Sequence, residues 1–179
     1  MVYVLLGTGF EEVEAIAPVD LLRRSGVSVL TVGVDGKTVT GSHGITVEAD
    51  ITLEQMDLTD LEMIVLPGGL GGVATARSSQ GALDALRFAY ENSKFVAAIC
   101  AGPTVLAELG IIGDRRATCY PGCEAAMGSA TMTEAACVTD GKLITGASAG
   151  CAIPFALGLI EALKGKEEAQ RIAAQIVIR

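Results

Sequence analysis

The segment Ala97-Ala98-Ile99-Cys100-Ala101-Gly102-Pro103 holds the side chain best placed for covalent chemistry. An apolar run ends on Cys100, and Ala101, Gly102 and Pro103 then open a helix, so the chain turns sharply beside a thiol. A turn of this kind, a nucleophile elbow, projects the side chain at its tip. The helix start supplies N–H donors for a developing oxyanion and lowers the thiol's pKa. The alternative is a buried structural cysteine, because free cysteine is among the most buried residue types.

Two further segments offer partners for such a thiol. Pro67-Gly68-Gly69-Leu70-Gly71-Gly72 follows an apolar run ending at Leu66, which puts it at the carboxyl edge of a sheet, where open α/β folds bind ligands. It lacks the Lys-Ser/Thr of a phosphate loop and the spacing of a dinucleotide fingerprint. Its main-chain N–H groups suit an oxyanion better than a nucleotide, although a turn needing positive φ would explain one or two of the glycines. Gly7-Thr8-Gly9-Phe10-Glu11-Glu12-Val13-Glu14 opens another helix with three acids. The helix dipole accounts for Glu11 and Glu12. Glu14 lies among Val13, Ala15 and Ile16; pointing inward, it would have a raised pKa and could move protons beside a thiolate.

Other reactive residues carry less. The single histidine, His43, lies in a turn and has no second histidine with which to build a metal site. Cys119-Tyr120-Pro121-Gly122-Cys123 has three residues between its cysteines and no second pair, so it lacks zinc-knuckle spacing. No metal is expected.

The elements that must position these residues alternate. Short apolar runs at 2–6, 27–32, 63–66, 95–99 and 142–145 read as buried strands, each followed by a Gly, Pro or acidic turn. Between them, Leu83, Leu86 and Tyr90, and later Ile153, Ala156, Leu157, Ile160 and Leu163, recur at helical spacing. This is an α/β chain with a mostly parallel sheet. Pro18 predicts a kink or a late start for the first helix. Asp35-Gly36 and His43-Gly44 punctuate a Val/Thr-rich hairpin expected at a sheet edge.

Composition bounds the partners. The 179 residues, half of them hydrophobic, amount to one domain (1–179), long enough to bury roughly 70% of the unfolded surface. Twenty-one acidic against thirteen basic residues leave a net charge of −8, and no Lys/Arg run appears, which argues against nucleic acid or an anionic membrane as partner. Apolar runs fall short of the roughly 20 residues that span a bilayer. No signal peptide is visible, so a cytoplasmic location is expected, and the five cysteines, odd in number and irregularly spaced, read as reduced thiols.

The acidic first helix, the Leu66-Pro67-Gly68-Gly69 turn and the Ala98-Ile99-Cys100-Ala101-Gly102-Pro103 elbow together closely resemble the ThiJ/PfpI superfamily, in particular its DJ-one-like branch. The resemblance continues through Pro18-Val19-Asp20-Leu21-Leu22-Arg23-Arg24-Ser25-Gly26 and the helix from Phe155 to Leu163. It implies a flavodoxin-like three-layer sandwich and a homodimer. It further implies Cys100 as reactive cysteine, Glu14 as its hydrogen-bonded acid, and Gly68, Gly69 and Ala101 as oxyanion or substrate-binding positions. By the same matching, Arg24 falls at the dimer interface near the partner's site and His43 occupies a position often held by arginine, so both could bind an anionic group. Members are described as cofactor-independent glyoxalases, deglycases, oxidation sensors acting through cysteine sulfinic acid, and chaperones.

Three departures from that pattern bear on activity. Tyr120 replaces the histidine that commonly precedes the proline after the elbow helix, and a phenol is a poor base at neutral pH. Ala101 stands where the protease branch places histidine, so peptidase activity is not expected. Gly146-Ala147-Ser148-Ala149-Gly150-Cys151 lacks the arginine of the usual pattern and adds a thiol. The leading expectation is detoxification of a small aldehyde or dicarbonyl by Cys100 without a cofactor. The alternative is a redox sensor or chaperone that uses Cys100 oxidation with negligible turnover.

Overall fold

A computed structural model describes residues 1–178. Its elements are β1 (Val2–Leu6), α1 (Glu12–Arg24), β2 (Val29–Gly33), β3 (Thr38–Thr40), β4 (Thr46–Glu48), β5 (Ile51–Thr52), β6 (Met63–Leu66), α2 (Leu70–Ser78), α3 (Gln80–Glu91), β7 (Phe95–Ile99), α4 (Pro103–Glu108), β8 (Arg116–Ala117), β9 (Thr131–Met132), β10 (Cys137–Asp140), β11 (Leu143–Gly146), α5 (Ala152–Lys164) and α6 (Lys166–Gln175). Seven strands form one sheet in the order β10-β11-β7-β6-β1-β2-β5. Every pairing in it is parallel except β10 with β11.

The central strands are apolar on both sides because each face carries a helical layer. Side chains alternate along a strand. Tyr3, Leu5, Ile64, Leu66, Val96 and Ala98 enter one core with Leu86 of α3 and Val105 of α4. Val2, Val4, Leu6, Met63, Val65, Ala97 and Ile99 enter the other with Leu22 of α1 and Phe155 and Ile160 of α5. Each such large side chain, fully buried, contributes about 1.5–3 kcal/mol. The result is a flavodoxin-like three-layer sandwich.

This topology builds the site. The chain leaves β1 toward β2 on one side and returns to β6 on the other, so the carboxyl ends of β1 and β6 diverge at a switch point. The Gly7–Glu11 segment follows β1, the glycine loop follows β6, and Cys100 follows β7.

Several boundaries differ from the sequence reading. The hairpin is present as β3 and β4, but it forms its own two-stranded sheet, and the edge of the main sheet is the short β5. The Gly9 N–H donates to the Thr40 carbonyl at 2.8 Å and the Ser42 N–H to that of Phe10 at 2.8 Å, which draws the hairpin over the start of α1. Strand β2 begins at Val29 because the Val27 N–H still caps α1 at the Leu22 carbonyl. Helix α1 is regular from Glu12, ahead of Pro18 rather than after it. The proline removes only the N–H that would have reached the Glu14 carbonyl.

Candidate active site

Cys100 sits at a tight turn between β7 and α4, with φ at +65°. A non-glycine residue in that left-handed region costs about 1–2 kcal/mol and persists only where its surroundings hold it. Here they do so from both sides. The Cys100 N–H donates to the Gly146 carbonyl at the end of β11 at 2.9 Å, and its carbonyl accepts from the Tyr120 N–H at 2.8 Å.

Glu14 comes to this thiol from α1. It is fully buried, its Oε2 accepts from the Gly68 N–H at 2.9 Å, and its Oε1 has no well-aligned hydrogen-bond partner among the described residues. Burial pushes Glu14 up to about 7, even though the Cys100 thiol and the Gly68 N–H both favour its charged form.

The thiol is raised too, to about 12, first by burial and then by the Glu14 charge. The Ala101 and Gly69 N–H groups face the sulfur and act in the opposite direction without prevailing. The lowered thiol pKa read from the helix start is therefore corrected. Helix α4 has only six residues and begins three positions after Cys100, too short and too far to outweigh an adjacent carboxylate. Thiolate and carboxylate cannot readily coexist here, so the pair shares a proton, and the thiolate forms when Glu14 takes it.

The glycine loop acts through close approach more than through positive φ. Of its four glycines only Gly69 has positive φ, at +85°. A Cβ on Gly68 would stand 2.6 Å from that of Cys100, and one on Gly72 would stand 2.6 Å from the Phe10 Cα. The Glu11 N–H closes the contact by donating to the Gly68 carbonyl at 2.9 Å. Gly68 cannot serve as an oxyanion donor, because its N–H is occupied by Glu14; Gly69 and Ala101 keep theirs toward the sulfur.

Glu12 does more than complement the helix dipole. It is buried, and Oε1 accepts from the His43 N–H at 2.8 Å and the Ile45 N–H at 3.3 Å, while Oε2 meets His43 Nδ1 at 3.0 Å. Burial opposes its charge, but the His43 side chain and the backbone N–H groups prevail and hold it down to about 2. The same contact, with help from the Glu11 charge, raises His43. Donor atoms of Glu11, Glu12 and His43 lie within 4.8 Å of one another, a spacing a cation could use, and here they serve to fasten the hairpin. His43 is thus not simply a solvated turn residue. Arg24 is not brought to Cys100 within the chain; its Nε donates to Asp20 Oδ2 at 2.9 Å on the surface of α1.

Above the sulfur opens a cleft of about 250 Å³ lined by Glu11, Gly69, Leu70, Cys100, Ala101, Tyr120 and Cys123. A cavity of about 190 Å³ lined by Lys94, Arg115 and Lys142 contains no cysteine, which sets the Cys100 cleft apart. Tyr120 reaches the cleft, as its position before Pro121 suggested. Leu70 and Cys123 were not legible as cleft residues. The signal for Leu70 was an apolar residue between two Gly-Gly pairs, left 81% exposed. Chemically, the cleft pairs a soft nucleophile with a buried acid and two amide donors, in a space sized for a few heavy atoms.

Known proteins resemble this chain over most of its length. The sequence pattern of the DJ-1/PfpI family matches residues 1–162. Protein dj-1beta of Drosophila melanogaster is 36% identical over 178 residues, 98% of this chain and 95% of that one. A deglycase of Pyrococcus abyssi is 33% identical over 146 residues, 80% of this chain and 87% of that one. The structure of oxidized Toxoplasma gondii DJ-1 superposes with a TM-score of 0.94 at 34% identity, over 98% of this chain and 97% of that one.

Proposed function

Since the chain belongs to the DJ-1/PfpI family, we propose that it is a cysteine-dependent, cofactor-independent enzyme acting on small reactive aldehydes, in the manner of a glyoxalase or deglycase. The observation that carries this reading is the Glu14–Cys100 pair, with a carboxyl pushed up to about 7 against a thiol beneath two amide donors. A group titrating near neutrality both takes and returns protons.

With a dicarbonyl such as methylglyoxal, Cys100 sulfur adds to the aldehyde carbon while Glu14 takes the thiol proton. The Gly69 and Ala101 amides hold the oxygen as charge develops on it. Glu14 returns that proton to give a hemithioacetal, removes the C–H proton to form an enediolate, and delivers it to the neighbouring carbon as the hemithioacetal hydroxyl passes its proton to the former ketone oxygen. Water then releases lactate from the resulting thioester. The reaction is redox-neutral overall. The same addition to a glycated amine's carbonyl would make the chemistry deglycase-like, and the name of the Pyrococcus relative supports that variant.

The chain pairs with a second copy in this reading. Val13 and Ile16 on α1 and Ile45 on the hairpin are 44%, 43% and 56% exposed, an apolar face beside the cleft that suits a homodimer. Five free thiols suit a reducing, cytoplasmic compartment. A second reading, a redox sensor with negligible turnover, is favoured by Glu14 Oε1, which is buried with no well-aligned partner among the described residues and suits a proton-sharing contact to an oxidised sulfur.

The test is lactate formation from methylglyoxal without cofactor, beside Cys100→Ser and Glu14→Gln. Turnover lost in both variants, with the Glu14→Gln thiol still alkylated, supports the enzyme. Turnover retained in both defeats it, and no turnover in the parent leaves the sensor reading.

A further inference from the structure

The cleft contains a second thiol that the mechanism above does not use. Cys123 lines it with Cys100 and Tyr120. Two successive hydrogen bonds tie the two cysteines together: the Tyr120 N–H donates to the Cys100 carbonyl at 2.8 Å, and the Cys123 N–H donates to the Tyr120 carbonyl at 2.9 Å. Among the described residues, no other part of the chain packs over Gly122 at the tip of the turn between them. Tyr120, Pro121 and Gly122 are exposed, and Gly122, at φ +98°, has open space where a Cβ would stand. Cys119 differs in being buried, with its sulfur 3.5 Å from the Tyr120 carbonyl and its thiol pushed up to about 11, chiefly by burial.

We propose that Cys123 is a resolving cysteine, which captures Cys100 after a hydroperoxide has oxidised it and closes a Cys100–Cys123 disulfide across the cleft. In the first step Cys100 sulfur attacks the peroxide oxygen; the O–O bond breaks, the sulfur loses two electrons to become a sulfenic acid, and the hydroperoxide leaves as an alcohol or water. In the second, Cys123 sulfur attacks Cys100 sulfur; the S–S bond forms, the S–O bond breaks, and water leaves with the Cys123 proton. A disulfide needs Cα atoms about 4.4–6.8 Å apart, so the 120–123 turn closes down onto the elbow. The bond blocks aldehyde chemistry reversibly and diverts Cys100 from the sulfinic acid, which most cells cannot reverse. The inference rests on the reading above only in taking Cys100 as the reactive thiol.

The full chain, first assayed for lactate formation, is treated with two equivalents of hydrogen peroxide, its remaining thiols are blocked, and it is measured by mass spectrometry beside Cys123→Ser and Cys123→Ala. Cleavage at Arg115, Arg116 and Lys142 separates Cys100 from a peptide that carries Cys119, Cys123 and Cys137, and fragmentation distinguishes these three. The parent is expected to lose two hydrogens, to link Cys100 to Cys123, and to recover both thiols with dithiothreitol. Both variants are expected to gain two oxygens at Cys100, with at least about tenfold more sulfinic acid than the parent. Equal sulfinic acid in parent and variants, a Cys119–Cys123 bond instead, or oxidation that spares Cys100 overturns the proposal. A Cys100–Cys123 bond in protein that makes no lactate upholds it while defeating the enzyme reading. Lactate formation without the bond does the reverse.

Discussion

Glu14 Oε2 accepts from the Gly68 N–H at 2.9 Å, and Gly68 itself has no room for a side chain between Glu14 and Cys100. One glycine therefore both fixes the acid and lets the thiol approach it. Gly68→Ala should cost about 1–3 kcal/mol through overpacking and should displace Cys100 or Glu14. Thermal unfolding reads the first effect, and a changed rate of Cys100 alkylation reads the second. An unchanged rate would mean that the glycine does not set the pair.

The raised Glu14 makes stability depend on pH in a defined direction. Because its folded value, about 7, lies above the ordinary 4.5, the contribution of the protonated acid is complete below about pH 4.5 and is lost as pH rises through about 7. Glu14→Gln should gain on the parent across that window, by up to roughly 3 kcal/mol. Unfolding of both proteins at about pH 5 and about pH 8 measures the difference. With the carboxylate gone, alkylation of Cys100 at the higher pH should also be faster, on the order of tenfold.

Glu12 should hold the hairpin. Glu12→Ala removes acceptors from the His43 and Ile45 N–H groups and should lower the opening free energy of residues 38–48 by about 1–3 kcal/mol. Hydrogen exchange confined to those residues checks it. In the parent this contribution is present above about pH 4.5 and fades as pH falls toward about 2.

Tyr120 lines the cleft at the position before Pro121. If turnover is limited by proton transfer there, Tyr120→His should raise kcat about tenfold and add a rate limb near pH 6.5. Tyr120→Phe should change little, since the contact to Cys100 is made by the backbone.

The proposed homodimer is tested at the apolar face formed by Val13, Ile16 and Ile45. Ile16→Asp with Ile45→Asp puts two charges among residues that a partner copy would bury, and the double variant should sediment as a monomer where the parent sediments as a dimer. A monomeric parent would remove the assignment.

Five of the seven strands of the main sheet could be read directly, because burial on both faces leaves unbroken apolar runs such as Met63–Leu66. The inward turn of Glu14 is anticipated by its apolar neighbours Val13, Ala15 and Ile16, and the structure does bury it, although Val13 and Ile16 themselves are partly exposed and only Ala15 shares its burial. The hairpin's seat was not, since it depends on Glu12 meeting N–H groups of His43 and Ile45, a long-range pairing with no local signature. The elbow was legible as backbone geometry but misread as electrostatics. Small residues announce the turn, whereas the direction of a thiol's pKa depends on which charge the fold brings beside it. Cys123 was hidden because its place in the cleft comes from a turn anchored to Cys100 itself.

The bond from the Cys100 N–H to the Gly146 carbonyl has a consequence for biosynthesis. Glu14, Gly68 and Cys100 leave the ribosome in that order, and the strand that locks the elbow follows well after them. A nascent chain therefore carries all its site residues for a period in which the thiol is exposed and unrestrained. During synthesis Cys100 is an ordinary cysteine, open to any passing electrophile, and it acquires its particular chemistry only when β11 docks.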